Sequence, residues 1–347
     1  MNKQQLIDLA IQAAKRTAPA NYSVETVDKA LVGELNKLVD GKLQNFMKNR
    51  YDIYEIIQEA SNAVLERQVL QQVGAFADVQ FVARGVRPRF RNPLSRTRAK
   101  TFLTSAAAAG VYRTFRLDSS WFEIETHAQG IGAILDFERI LDGTEVFAES
   151  MAIISEALGE SIYHEIHKAL ESLLEVALPS ANKAIDSNFD AANLQKICNI
   201  VRTYSDNNQA VILATPEFIA EMGPDAIVSP TANVGGVYAP QDIQDIRNLG
   251  HITMFRGNVI VPLKQGYADF NNTETVVDPS IAYILPSSNE KVVKAVVEGG
   301  TQIRDMQNED WSMTIQAYHR VGAAVVATNG IGVYQNLSLK SFGTSGE

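Results

Sequence analysis

The strongest constraint on the fold is a long run of apolar residues that recur every three or four positions in the middle of the chain. The run consists of Phe147, Met151, Ile154, Leu158, Ile162, Ile166, Leu170, Leu173 and Ala177, and it ends before Pro179. Asp142-Gly143-Thr144-Glu145 precedes it and offers capping residues with a carboxylate in the first turn. The pattern predicts one amphipathic helix over residues 144–178. At about 1.5 Å per residue this helix is roughly 50 Å long, well above the usual length.

Length and composition are typical of an ordinary globular protein. The chain has 347 residues, enough for about two domains, with 46% apolar and 20% charged residues. Its single cysteine, Cys198, excludes an intramolecular disulfide framework and a cysteine-rich metal site, and we expect it to be buried on a helix. Residues 1–14 lack the pattern of a signal peptide, and no run of about 18 apolar residues occurs. We therefore expect a protein of cytoplasmic origin with no membrane partner.

Charge is distributed very unevenly along the chain. The whole chain carries −9, but the stretch from Val79 to Leu117 has nine basic residues and no acidic one, so the rest carries −18. An acidic body argues against a protein whose main task is to bind nucleic acid. We predict that the basic stretch contacts an acidic surface on a neighbouring copy; nucleic-acid binding and a solvated loop are the alternatives. The candidate contact residues are Arg84, Arg87, Arg89, Arg91, Arg96, Arg98 and Lys100.

Extended segments flank this basic stretch and predict a two-stranded excursion from the body of the protein. Strand-like residues occupy 79–82, 111–117 and 121–124, around a middle that contains Pro88 and Pro93. A two-stranded hairpin is marginally stable by itself in water. Another surface is therefore expected to lie against it.

The remaining segments predict helices before the excursion and a mixed α/β region after it. Residues 1–70 carry apolar residues at helical spacing, with helices expected near 23–40 and over 51–71. The expected elements beyond Asp190 are a helix over 192–204, a strand over 210–214, a helix opened by Thr215-Pro216-Glu217, a hairpin around Arg256-Gly257, and strands over 281–285, 291–297 and 311–327.

One group of residues offers a possible metal site. Glu160, His164, His167 and Glu171 are spaced by four, three and four residues, which places them on one face of the predicted helix. A solvated polar face explains the same pattern better, because two histidines without a third strong ligand fall short of known zinc signatures. The other histidines have no evident partner; they are His127, His251 and His319. We assign no catalytic residue, cofactor or metal, since phosphate-binding loops and nucleophile elbows are absent from the sequence.

The order of these parts resembles the tailed-bacteriophage major capsid proteins with the Hong Kong ninety-seven-type fold. Residues 134–143, which lead into the long helix, resemble the family's approach to its spine helix, and the closing strand 311–327 followed by Val333-Tyr334 resembles its ending. The resemblance implies an α+β fold with a helical N-terminal arm (1–75), an extended β-hairpin E-loop (76–125), a P domain (126–189) with its spine helix (144–178), a mixed α/β A domain (190–285), return strands of the P domain (286–340) and a tail (341–347).

The resemblance also implies a function by self-assembly. Members of the family build pentamers and hexamers of an icosahedral shell around double-stranded DNA. The E-loop of one subunit lies over the neighbouring subunit. The implied partners are further copies of this chain, scaffold, portal and decoration proteins, and packaged DNA contacted without sequence specificity. The implied location is the virion, after assembly in the host bacterial cytoplasm. Two alternatives stay open: an encapsulin nanocompartment shell of the same fold, and a metal-dependent enzyme that uses the Glu160/His164/His167/Glu171 face.

Overall fold

The computed structural model describes residues 3–14, 30, 33–34, 37, 43–91, 121–135, 147–175, 178–223, 244, 248, 250–267, 271, 273, 275–288, 291–307, 313–326 and 330–342. The helices are α1 (Lys3–Ala14), α2 (Leu43–Val73), α3 (Phe147–Glu175), α4 (Ala191–Arg202) and α5 (Pro216–Met222). The strands are β1 (Ala77–Val82), β2 (Arg89–Arg91), β3 (Trp121–Glu123), β4 (His127–Leu135), β5 (Lys183–Asp186), β6 (Ala210–Ala214), β7 (Met254–Phe255), β8 (Asn258–Pro262), β9 (Ile281–Pro286), β10 (Val293–Gln307), β11 (Met313–Val325) and β12 (Gly332–Asn336).

The long helix α3 packs against a four-stranded sheet. The strand order is β1-β10-β11-β4, with β1 parallel to β10 and the other pairs antiparallel. Ile162, Ile166 and Leu170 of α3 are completely buried in a core shared with the sheet and with α2. The predicted long helix is therefore observed over the described residues, and its apolar stripe is the buried side. Residues 144–146 and 176–177 of the prediction lie outside the described residues.

A six-stranded sheet forms the second layer, with the order β5-β12-β9-β6-β8-β7. Both of its faces are buried, because successive residues of β6 and β9 point alternately to the α3 core and to a second core with α4 and α5. Cys198 of α4 is completely buried in that second core, as expected. The predicted hairpin is β7–β8, whose turn residues Arg256 and Gly257 have φ of 46° and 82°.

Two predicted segment assignments differ from the observed strand pairing. Residues 79–82 were predicted to form one extended arm of the excursion, but they belong to β1, which is hydrogen-bonded to β10 as an edge of the four-stranded sheet. β12 was assigned with the return strands (286–340), but it pairs with β5 and β9 in the six-stranded sheet. In both cases the partner strand is distant in sequence, and a local pattern contains no information about it.

The N-terminal helix α2 is longer than its predicted range of 51–71. It begins at Leu43 and ends at Val73, and Leu65, Val69 and Val73 join the core that contains α3. The helix predicted near 23–40 lies almost entirely outside the described residues, and the strand predicted over 111–117 lies entirely outside them.

Candidate functional site

The described part of the basic excursion is its root, where β2 and β3 pair antiparallel. Phe90 lies opposite Phe122, and the two rings stack with centroids 5.7 Å apart. Phe90 is buried together with Ile124 and with Val296 of β10. Apolar packing thus holds the root against the four-stranded sheet, although the strand pair itself is only three residues long.

Three of the predicted contact arginines have partners within their own chain. Nη1 of Arg84 donates to Oε1 of Gln302 at 2.6 Å. Nε of Arg89 donates to Oε1 of its cross-strand neighbour Glu123 at 3.0 Å, and Nη1 of Arg87 lies 3.8 Å from Oε2 of the same carboxylate. The side chains of Arg87 and Arg89 are nevertheless 81% and 70% exposed, so their guanidinium groups can reach a further partner.

The other predicted contact residues are less completely described. Arg91 lies in β2 opposite Trp121. Arg96, Arg98 and Lys100 lie outside the described residues. The assignment of these basic residues to a contact between subunits stays a prediction.

Glu298 of β10 connects the two ends of the excursion. Its Oε1 accepts a hydrogen bond from the Gly85 N–H at 2.8 Å, just after β1, and its Oε2 accepts one from Oγ1 of Thr126 at 2.6 Å, just before β4. Nε of Arg320 lies 3.5 Å from Oε2, and Nη2 of Arg320 donates to the Thr126 carbonyl at 3.0 Å. The Glu298 side chain is only 10% exposed. The hydrogen bond from Thr126, followed by that from Gly85, lowers the pKa of this carboxyl group.

A polar cleft of about 500 Å³ opens beside Glu298 at the root of the excursion. Arg87 and Arg320 line it together with Glu123 and Glu125. Because both signs of charge face this cleft, it suits a contact between polypeptide surfaces better than the binding of a simple ion. Sequence reasoning missed Glu298; the available signal was Gly299-Gly300, two glycines inside an extended segment.

The residues considered as a metal site lie in different environments. Glu160 is exposed and forms an ion pair with Lys264 at 3.0 Å, and His164 is also exposed. His167 is only 1% exposed, with its ring edge-on to that of Tyr163. Burial, followed by the nearby His164, lowers the pKa of His167 to about 4. The interpretation of this face as solvated surface is therefore wrong at His167, because that residue lies at the buried border of the apolar stripe.

The fourth member of that group, Glu171, is half-buried. Burial, followed by the proximity of Asp278, raises the pKa of its carboxyl group. Within the part of the chain that the structure describes, no three His, Cys, Asp or Glu side chains are grouped so that they could hold a metal ion.

His319 was expected to lack a partner, and the structure corrects this. Its Nε2 lies 2.9 Å from Oγ of Ser161 on α3, and the Ser161 hydroxyl donates to the Leu158 carbonyl at 2.8 Å. Since a hydroxyl has one hydrogen to donate, the imidazole N–H is the donor to Ser161. His319 is buried, and burial lowers its pKa to about 4.

The described helices include none that is long and apolar enough to cross a membrane. A long spine helix against a four-stranded sheet, a second α/β layer and a pair of short strands at the root of the basic excursion are the parts expected of the α+β fold of Hong Kong ninety-seven-type phage capsid proteins. A family model described as "SPbeta prophage-derived putative capsid protein YonB" matches residues 10–335. The chain therefore belongs to this family of phage capsid proteins, and the resemblance predicted from the order of elements is confirmed.

Solved structures with a similar fold include phage proteins and an encapsulin. A phage-related protein from Bordetella bronchiseptica is 10% identical with a TM-score of 0.50, over 80% of this chain and 97% of that chain. The capsid of cyanophage P-SCSP1u is 11% identical with a TM-score of 0.48, over 77% and 87%. The SrpI encapsulin of Synechococcus elongatus is 14% identical with a TM-score of 0.44, over 79% and 90%. At 10% identity the likeness to the Bordetella protein shows the fold alone. A comparison with curated proteins found no match.

Family membership assigns the protein a structural role. It is a phage capsid protein, and its location is the virion.

Proposed function

We propose that this protein is the major capsid protein of a tailed bacteriophage and forms the pentamers and hexamers of an icosahedral shell that encloses double-stranded DNA. It assembles in the host bacterial cytoplasm with scaffold, portal and decoration proteins as partners, and it contacts the packaged DNA without sequence specificity. The observation that carries the proposal is the exposure of Arg87 and Arg89 at the root of the excursion, in a chain whose residues outside 79–117 carry a charge of −18.

The charge distribution supports a contact between copies. The root presents Arg87 and Arg89 to solvent, while each copy also offers a strongly acidic body. Opposite charges steer association and fix the register of a contact. The same acidic body repels DNA, which suits a container whose contents must move in and out.

The first test is negative-stain electron microscopy of the purified protein, with light scattering on the same sample. We expect closed shells, tubes, or rings of five and six subunits. A monodisperse monomer or dimer that does not assemble, even with its scaffold protein, would overturn the proposal.

A charge-reversal pair tests the contact itself. We expect Arg89→Glu combined with Arg91→Glu to block assembly while the subunit stays folded, as judged by circular dichroism. Lys168→Glu combined with Lys196→Glu is the matched control, because it changes the net charge equally at exposed positions outside the excursion. Normal assembly of the excursion variant, or equal failure of the control, would contradict the assignment.

The contents of particles purified from the natural host distinguish the proposal from the encapsulin alternative. We expect double-stranded DNA that is protected from nuclease until the shell is opened. An enclosed enzyme without DNA would assign the shell to a nanocompartment instead.

A further inference from the structure

The regular pairing of β10 with β11 is interrupted between Glu298 and Gln302. Gly299 and Gly300 have φ of 80° and 62°, a conformation that favours glycine. The result is an irregularity in the middle of a 15-residue strand. A bulge of this kind redirects side chains and neighbouring segments. Here three separate segments contact the short stretch of β10 from Glu298 to Thr301.

The first two segments are the ends of the excursion. The Glu298 carboxylate accepts hydrogen bonds from the Gly85 N–H at 2.8 Å and from Oγ1 of Thr126 at 2.6 Å, so each oxygen holds one end. A Cβ at Gly299 would lie 3.0 Å from Cβ of Arg84. The first end of the excursion, just after β1, therefore also packs closely against the irregular part of β10. Both ends are therefore fixed to β10 by contacts outside the β2–β3 pair.

The third segment is the N-terminal helix α2. Oδ1 of Asn62 accepts a hydrogen bond from the backbone N–H of Thr301 at 2.7 Å. A Cβ at Gly300 would lie 3.0 Å from Nδ2 of the same Asn62. The bulge thus contacts α2 on one side and the excursion on the other.

We propose that the bulge Glu298–Thr301 is the joint that sets the direction of the excursion relative to the four-stranded sheet, with Glu298 as the positioning residue. The consequence for assembly rests on the proposed function, since the excursion must reach a neighbouring copy at a defined angle. The joint itself is a property of the single subunit. A carboxylate suits this task because its two oxygens accept from two donors at once, whereas an amide has one acceptor oxygen.

Hydrogen–deuterium exchange of the unassembled subunit tests the joint directly. We expect Glu298→Gln to speed exchange at least tenfold in the peptides that cover residues 83–87 and 124–127, while peptides of α4 keep the wild-type rate. The matched control is Glu160→Gln, which removes an exposed carboxylate paired with Lys264 and should leave both root peptides unchanged. Unchanged exchange at the root, or equal acceleration in α4, would overturn the proposal.

Thr126→Val provides a second test that removes one hydrogen bond and little volume. We expect faster exchange in residues 124–127 and a smaller change in residues 83–87, because the Gly85 contact is retained. Equal acceleration of both ends would contradict separate fixation by the two oxygens. Because these measurements need no shells, they stay informative if the wild-type protein does not assemble.

Electron microscopy of the same variants tests the consequence for assembly. We expect Glu298→Gln to give a broader range of particle diameters or open sheets, while Glu160→Gln gives wild-type particles. Wild-type particles from a Glu298→Gln subunit whose root exchanges faster would show that the joint does not direct assembly.

Discussion

Lys294 and Asp78 face each other across the parallel strands β10 and β1, with Nζ of Lys294 2.8 Å from Oδ2 of Asp78. The two partners differ in exposure, since the lysine side chain is 7% exposed and the aspartate side chain is 39% exposed. The ammonium also lies 5.7 Å from the centre of the Phe90 ring at the root of the excursion. The ion pair therefore neutralises a buried cation with a carboxylate that water can reach.

This asymmetry predicts unequal effects of removing either partner. Asp78→Asn leaves the buried ammonium without its counter-charge and should lower the free energy of unfolding by about 3 kcal/mol. Lys294→Met leaves a carboxylate that water can solvate and should cost about 1 kcal/mol or less. Urea unfolding of the unassembled subunit at pH 7.5 measures both. Equal losses would contradict the assignment of the lysine as the desolvated partner.

The long helix and the buried strands could be predicted because their signals are local. The apolar period that ends before Pro179 describes one side of a helix, and that side is the buried one. Arg256-Gly257 specified a tight turn without reference to the rest of the chain, and the turn is present in β7–β8. In each case the signal lies within one continuous segment of the chain.

The arrangement around the excursion root could not be predicted, because its contacts join residues far apart in the chain. Asp78 and Lys294 are 216 positions apart, and Gly85 and Glu298 are 213 apart. The burial of His167 similarly depends on what packs against the border of the apolar stripe. A local pattern gives the amphipathic side but does not fix how far the neighbouring elements extend over it.

The two buried histidines predict that the subunit loses stability in mild acid. The pKa of His167 and that of His319 are each lowered to about 4, below the value of 6.5 in the unfolded chain. The unfolded chain therefore binds protons more tightly, so stability is complete above pH 6.5 and falls as the pH drops towards 4. The expected loss between pH 7.5 and 5 is on the order of 2 kcal/mol for each histidine. Glu171 opposes this trend, since its raised pKa makes its protonation favour the folded state.

Urea unfolding of the unassembled subunit at pH 7.5 and pH 5, followed by circular dichroism, measures this loss. Equal unfolding midpoints at both pH values would rule out the buried rings as the source of acid sensitivity.

A substitution at His167 separates its contribution from that of His319. Among the described residues, neither ring nitrogen of His167 has a hydrogen-bond partner. His167→Met should therefore cost little at pH 7.5, because it removes unsatisfied polar atoms and keeps an apolar side chain in contact with Tyr163. It should also reduce the loss of stability between pH 7.5 and 5 by roughly half, since His319 remains. An unchanged loss on urea unfolding would mean that His167 does not titrate in this range.

Two glycines predict opposite effects of the same substitution. A methyl group at Gly322 of β11 would meet the carbonyl oxygen of Glu125 and lie 2.9 Å from Cγ2 of Ile124, directly beneath the returning end of the excursion. Gly322→Ala should therefore lower the free energy of unfolding by about 1–3 kcal/mol.

Gly223 follows α5 with φ of −51°, and a Cβ there meets no described atom within 4 Å. Gly223→Ala should leave stability unchanged or raise it by about 0.4–1 kcal/mol, because alanine restricts the unfolded chain. Urea unfolding compares the two variants, and a loss of similar size in both would show that the close approach of β11 to the excursion is not the cause.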